Sequence, residues 1–168
     1  GGVIELRAAK AARVPENALL TNDVEALGVP VVGRLTGDAR ADGGDMCWLD
    51  DKTLAVGRTY RTNAEGVRQI REILAPQGIS VQTYDMPHAL GPEYCLHLMS
   101  VWSPVRDDLA VVYEREAPVS LLQDLAARGI KTINVPDEDY LSLGCNVLAV
   151  APGVVVMASG NDATAALL

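Results

Sequence analysis

Three glycines set the frame of this chain. Leu27-Gly28-Val29, Gln77-Gly78-Ile79 and Arg128-Gly129-Ile130 repeat one local pattern, with the glycines 50 and 51 residues apart. A period of this size marks a repeated supersecondary unit. A glycine just after an apolar periodic stretch supplies the left-handed residue that ends a helix, and the β-branched residue after it starts a strand. Before the second junction Val67, Ile70, Ile73 and Leu74 share one helical face, and before the third Leu121, Leu122 and Leu125 do the same. Thr62-Asn63-Ala64-Glu65 has the spacing of a capping box. Helices are therefore predicted over residues 63–76 and 118–128.

Ahead of those helices the pattern predicts paired strands. Met46–Leu49 and Thr53–Val56 flank Asp50-Asp51, Leu96–Trp102 and Leu109–Tyr113 flank Asp107-Asp108, and Cys145–Val150 and Val154–Met157 flank Pro152-Gly153. The unit reads strand–turn–strand–helix–glycine–strand, in about three copies, which makes the chain α/β. Kelch propellers share a period near 50 but lack the helix. One mixed sheet in an ordinary α/β sandwich satisfies the same pattern and stays open. No Met opens the chain, and Gly160 to Leu168 read as a helix just begun, so residues 1–168 are expected to be a single, incomplete domain.

Composition narrows the function classes. Half the residues are hydrophobic (49%) and 21% are charged, enough apolar material for one ordinary core. The net charge of −8, with no clustered Lys or Arg, argues against nucleic acid and mildly favours a small cationic ligand. No apolar run is long enough to span a bilayer, and no signal segment opens the chain, so no membrane partner is expected. Three cysteines without metal spacing (Cys47, Cys95 and Cys145) fit reduced thiols in a cytoplasmic protein.

Few residues carry chemistry. In Asp42-Gly43-Gly44-Asp45 two glycines let the backbone approach a ligand and two carboxylates can face one pocket, although an acidic surface turn reads the same way. Arg61, beside the predicted helix start, suits an anion such as a carboxylate; a solvated arginine next to a cap is the plainer reading. His97 sits in Leu96-His97-Leu98, read as strand, where it is either a core histidine or a general acid/base. His88 reads as loop surface. Cys145, in Gly144-Cys145-Asn146, reads as a buried structural thiol with no activating base beside it, and Cys47 and Cys95 as core packing.

Taken in order, the segment from Arg7 through Arg13 to Glu16, then Asp42-Gly43-Gly44-Asp45, Gly57 to Arg61-Thr62-Asn63, Leu96-His97-Leu98 and Gly144-Cys145-Asn146 resemble the family of dimethylargininase, arginine deiminase and the arginine-type amidinotransferases. The likeness covers nearly the whole chain and is greatest to bacterial relatives of dimethylargininase. It implies a five-unit α/β propeller, the pentein fold, of which this chain holds about three units, with the active site on the axis. It also implies a Cys thiolate that attacks the guanidinium carbon, a His that protonates the leaving amine and then activates water, and no metal or cofactor.

By motif position the acid is Asp42 and the acid/base His97, while Arg13 and Arg61 hold the substrate's α-carboxylate and Asp45 joins the substrate-binding set. The nucleophile is expected beyond residue 168, because Cys145 matches a different strand. Ala11 and Val14 depart from the family pattern around Arg13. Met99 stands where deiminases tend to carry Asp, which leans toward dimethylargininase. The expected partner is a small guanidino compound, with a homo-oligomer left open. The competing classes are a non-catalytic module that binds a cationic amino acid and a plain structural repeat domain.

Overall fold

The computed structural model describes residues 1–168 apart from Cys95. It divides into two compact units, Gly1–Thr83 and Tyr84–Leu168. The first opens with β1 (Val3–Glu5), a 3-10 turn at Ala11–Arg13, α1 (Val14–Ala26) and β2 (Val31–Arg34), with β1 and β2 parallel. A second 3-10 turn (Gly43–Asp45) then leads into the β3 (Met46–Asp50) and β4 (Thr53–Arg58) hairpin, followed by α2 (Ala64–Leu74) and β5 (Ser80–Asp85). The sheet order is β3-β4-β5.

The second unit repeats that order. α3 (Leu98–Val101) is a single turn that runs into the β6 (Trp102–Arg106) and β7 (Leu109–Val112) hairpin, and α4 (Val119–Ala127) and β8 (Lys131–Asn134) follow. β8 lies parallel to β7, with Leu109 to Val112 in register with Lys131 to Asn134. After α5 (Asp137–Tyr140) comes a third antiparallel hairpin, β9 (Leu148–Ala151) and β10 (Val154–Val156), and then α6 (Asp162–Ala165). No described helix is long and apolar enough to cross a membrane.

The three glycine junctions are built alike, bond for bond. Gly28, Gly78 and Gly129 have φ of 82°, 70° and 73°. Each glycine N–H donates to the carbonyl three residues back (Glu25, Ala75, Ala126), and the next N–H reaches five back (Val24, Leu74, Leu125). This doubled pairing satisfies carbonyls that a helix end would otherwise leave orphaned, and it needs a left-handed residue. The repeat extends to the third strands: Ser80 N–H donates to Lys52 O, and Lys131 N–H to Asp108 O.

The helices bury the faces that their spacing marked. In the first unit Val67, Ile70 and Leu74 pack with Leu35, Ala39, Ala41, Leu54 and Val56. Each such Val, Leu or Ile side chain contributes about 1.5–3 kcal/mol when fully buried. In the second unit Leu121 and Leu125 are buried, and Val105, Val111, Tyr113, Val135, Cys145 and Val147 form a core cluster.

Three sequence expectations change. Asn63, not Thr62, caps α2, because the Asn63 side chain accepts from Gly66 N–H at 2.8 Å. Leu96 to Val101 are not strand: the β6–β7 ladder starts at Trp102 opposite Val112, and Leu98–Val101 close a helical turn instead, with Ser100 N–H donating to His97 O at 3.0 Å. The third hairpin likewise begins at Leu148 rather than Cys145, since Leu148 opposite Val156 is its outermost pair.

Candidate active site

In the first unit the segment from Asp38 to Asp45 is fastened to the start of α2. Asn63 Oδ1 accepts from Arg40 N–H at 3.0 Å as well as from Gly66, and its Nδ2 donates to Asp38 O at 2.8 Å. Asn63 N–H closes the clasp on Arg40 O at 3.1 Å. The fit is tight enough that a Cβ on Gly66 would lie 2.2 Å from Arg40 O, so only glycine is accommodated there.

This clasp presents Asp42, which is 8% exposed. Its Oδ1 accepts from Ala9 N–H at 3.4 Å, and its own N–H donates to Thr62 Oγ1 at 3.2 Å. Asp45 has no exposed surface. Its Oδ2 accepts the Thr62 hydroxyl at 2.6 Å and the Thr59 hydroxyl at 2.8 Å. Thr59 Oγ1 in turn accepts the N–H groups of Arg61 at 2.9 Å and Thr62 at 3.0 Å. The sequence reading assigned Thr62 and Asn63 a part only in the start of a helix, and Thr59 none. The legible signal was the hydroxyl pair in Thr59-Tyr60-Arg61-Thr62, since Ser and Thr at such turns bind the N–H two or three residues on.

Arg61 is 7% exposed, and its guanidinium makes no hydrogen bond or ion pair among the described residues. A guanidinium on a largely buried stem with no protein partner is free to take an anion, and a planar fork pairs well with a carboxylate. Arg13 differs. It lies exposed in the first 3-10 turn and pairs through Nε with Glu16 at 2.9 Å, a surface contact of small worth.

In the second unit His97 is half-buried and stands immediately before α3, its N–H donating to Ser100 Oγ at 3.2 Å. Asp42 occupies the matching station in the first unit. Each residue has extended backbone (φ −108°, ψ 142° for Asp42; φ −90°, ψ 163° for His97) and precedes one helical turn that feeds the first strand of a hairpin.

The described thiols are not activated. Burial pushes Cys145 up to about 12 and Cys47 up to about 11, so both stay protonated at neutral pH. Cys145 packs in the second core as the sequence reading held, and Cys95 lies outside the described residues. Among the described residues no cluster of three or more His, Cys, Asp and Glu is placed to hold a metal ion.

Comparison with known proteins places this arrangement. The family model for N,N-dimethylarginine dimethylhydrolase, eukaryotic, matches residues 32–168. YkgA of Bacillus subtilis, an uncharacterised protein, is 26% identical over 149 residues, covering 89% of this chain and 48% of YkgA. A mutant of DDAH from Pseudomonas aeruginosa complexed with citrulline superposes with a TM-score of 0.79 at 21% identity, over 98% of this chain and 59% of that one. The N-terminal domain of ArgZ, an arginine dihydrolase from the ornithine-ammonia cycle in cyanobacteria, superposes in a substrate-bound mutant form with a TM-score of 0.77 at 18% identity, over 98% of this chain and 60% of that one. The chain thus spans about half the length of its curated relative, and its mixed α/β fold is like that of these two solved structures. It belongs to the dimethylarginine dimethylhydrolase family.

Proposed function

We propose that this chain carries part of the active site of a hydrolase acting on the guanidino group of arginine or an Nω-methylated arginine, releasing citrulline and an amine. The carrying observation is Arg61, a residue only 7% exposed whose guanidinium has no protein counter-charge among the described residues. An α-carboxylate is the anion of matching shape, because a planar fork takes two carboxylate oxygens at once. Asp42 is the acid of the site, and the equivalent stations of Asp42 and His97 favour a shared role in successive units of a five-unit propeller.

The family resemblance supports a covalent route. A cysteine thiolate adds to the guanidinium carbon, His97 gives its proton to the departing amine, and a thiouronium remains on sulfur. His97 then takes a proton from water, the water oxygen adds to the same carbon, and the thiolate leaves as citrulline forms. We assign the nucleophile to a residue outside this sequence, since the described thiols are protonated and packed. The same fact favours a second reading for the 168 residues alone, a module that binds a cationic amino acid without turning it over. Arginine deiminase or amidinotransferase chemistry would use the same groups. We place the protein in the cytoplasm, on its cysteine usage.

Calorimetric titration with L-arginine and with agmatine, which lacks the α-carboxylate, tests the reading. L-arginine is expected to bind more tightly than agmatine. Arg61→Ala is expected to weaken L-arginine by roughly tenfold to a hundredfold, the worth of a charge-assisted pair, and to leave agmatine little changed. No binding of L-arginine, or equal binding by Arg61→Ala, overturns it.

A further inference from the structure

We infer that Asp45, Thr59 and Thr62 are positioning residues for the site: one buried carboxylate, acting through two hydroxyls, fixes the places of Asp42 and Arg61. The inference deepens the reading above and rests on it for the identity of the ligand. Asp45, with no exposed surface, has no face to offer a ligand, whereas Asp42 and Arg61 each keep a small one.

An ionised carboxylate only accepts hydrogen bonds. Thr59 and Thr62 therefore both point their single hydroxyl proton at Asp45 Oδ2, at 2.8 and 2.6 Å. That choice turns the lone pairs of each oxygen toward backbone N–H groups. Thr62 Oγ1 receives Asp42 N–H, and Thr59 Oγ1 receives Arg61 N–H and Thr62 N–H. Thr59 N–H also donates to Thr62 O at 3.0 Å, and Asp45 N–H to Asp42 O at 3.1 Å, so the hairpin exit and the acidic turn are tied on both sides. Charge at Asp45 orders both hydroxyls, because bonds in series polarise one another in a buried setting. The result is two ligand-facing side chains, 19 residues apart in sequence, whose backbones hang from one oxygen atom. Small displacements of such groups cost binding and rate heavily, which gives a buried carboxylate here its use.

The two threonines carry different arms, and this separates positioning from plain stability. Thr59→Val keeps the shape and removes the proton; L-arginine affinity is expected to fall by about tenfold while agmatine changes little, since only the carboxylate end passes through Arg61. Thr62→Val is expected to weaken both ligands alike, since it frees Asp42. Thr59→Ser and Thr62→Ser restore wild-type affinity. Amide hydrogen exchange reads the same device without any ligand: Asp42 N–H exchanges about tenfold faster in Thr62→Val, Arg61 N–H in Thr59→Val, and both in Asp45→Asn, with Val67 and Ile70 of α2 unchanged. If wild type binds neither ligand, the guanidino reading falls while exchange still decides the positioning. If Asp42 and Arg61 keep their protection in the valine variants, or lose it only together with Val67 and Ile70, the inference is overturned. The isosteric valine variants decide the question where Asp45→Asn does not fold.

Discussion

Tyr84 shows how one buried polar group couples this fold to pH. It has no exposed surface, and its hydroxyl donates to Asp124 Oδ2 at 2.5 Å, while Asp124 Oδ1 accepts from Arg128 Nε at 3.1 Å. Burial first, then the Asp124 carboxylate, holds the phenol above the ordinary tyrosine range. A group whose pKa is raised by folding contributes fully below its unfolded value, near 10, and loses that contribution as pH climbs toward the folded one. Tyr84→Phe is expected to lower stability by about 1–3 kcal/mol at pH 7. The gap to wild type should narrow between pH 9 and 11 in urea titrations, and a constant gap would exclude the linkage. The thiols give a second check at this scale. With Cys145 pushed up to about 12 and buried against Val111 O, iodoacetamide at pH 7.5 is expected to leave it unmodified until the chain unfolds.

Helix ends and strand faces tell two stories about legibility. The glycine junctions were readable because their cause is local: a left-handed residue, an apolar stripe before it and a β-branched residue after it occupy one continuous stretch. The cap on α2 was misread by one position, since Thr62 has a stronger claim on it, Asp45, 17 residues upstream. Asn63→Ala removes an acceptor shared by Arg40 and Gly66, so it is expected to cost more than the ~1 kcal/mol of a simple cap, measured by chemical denaturation. The third hairpin differs from the first two in its cover. β4 and β7 are largely buried, whereas Leu148, Val150, Val154 and Val156 are 63%, 58%, 55% and 57% exposed. In the first two hairpins a helix and a third strand follow the hairpin, and after the third comes α6, Asp162–Ala165. Four large apolar side chains on one short hairpin favour self-association. Light scattering of the purified 168 residues is expected to show concentration-dependent oligomers, and Val154→Lys with Val156→Lys to return them to monomer.

Across the whole chain, the periodic frame came through from sequence almost intact. The order of hairpin, helix, glycine and strand, the buried faces of α2 and α4, the structural role of Cys145 and the family were all visible in residue spacing and motif order. The reason is that turn preference, capping glycines and apolar periodicity act over a few residues, and a period near 50 repeats that information three times. Candidate chemistry was legible only as residue types. Nothing in the motif Asp42-Gly43-Gly44-Asp45 distinguishes a carboxylate with a small exposed face from one that is sealed in. Likewise, Arg13 and Arg61 look equivalent on paper, yet one is exposed and paired with Glu16 while the other is buried without a counter-charge among the described residues. His97 was read as strand because its neighbours alternate, but the β6–β7 ladder starts at Trp102, and Leu98–Val101 close a helical turn. The sequence by itself determined the unit, its punctuation and its family. Tertiary structure alone decided which polar groups are sheltered and which are paired, because burial and hydrogen bonding are set by neighbours tens of residues away.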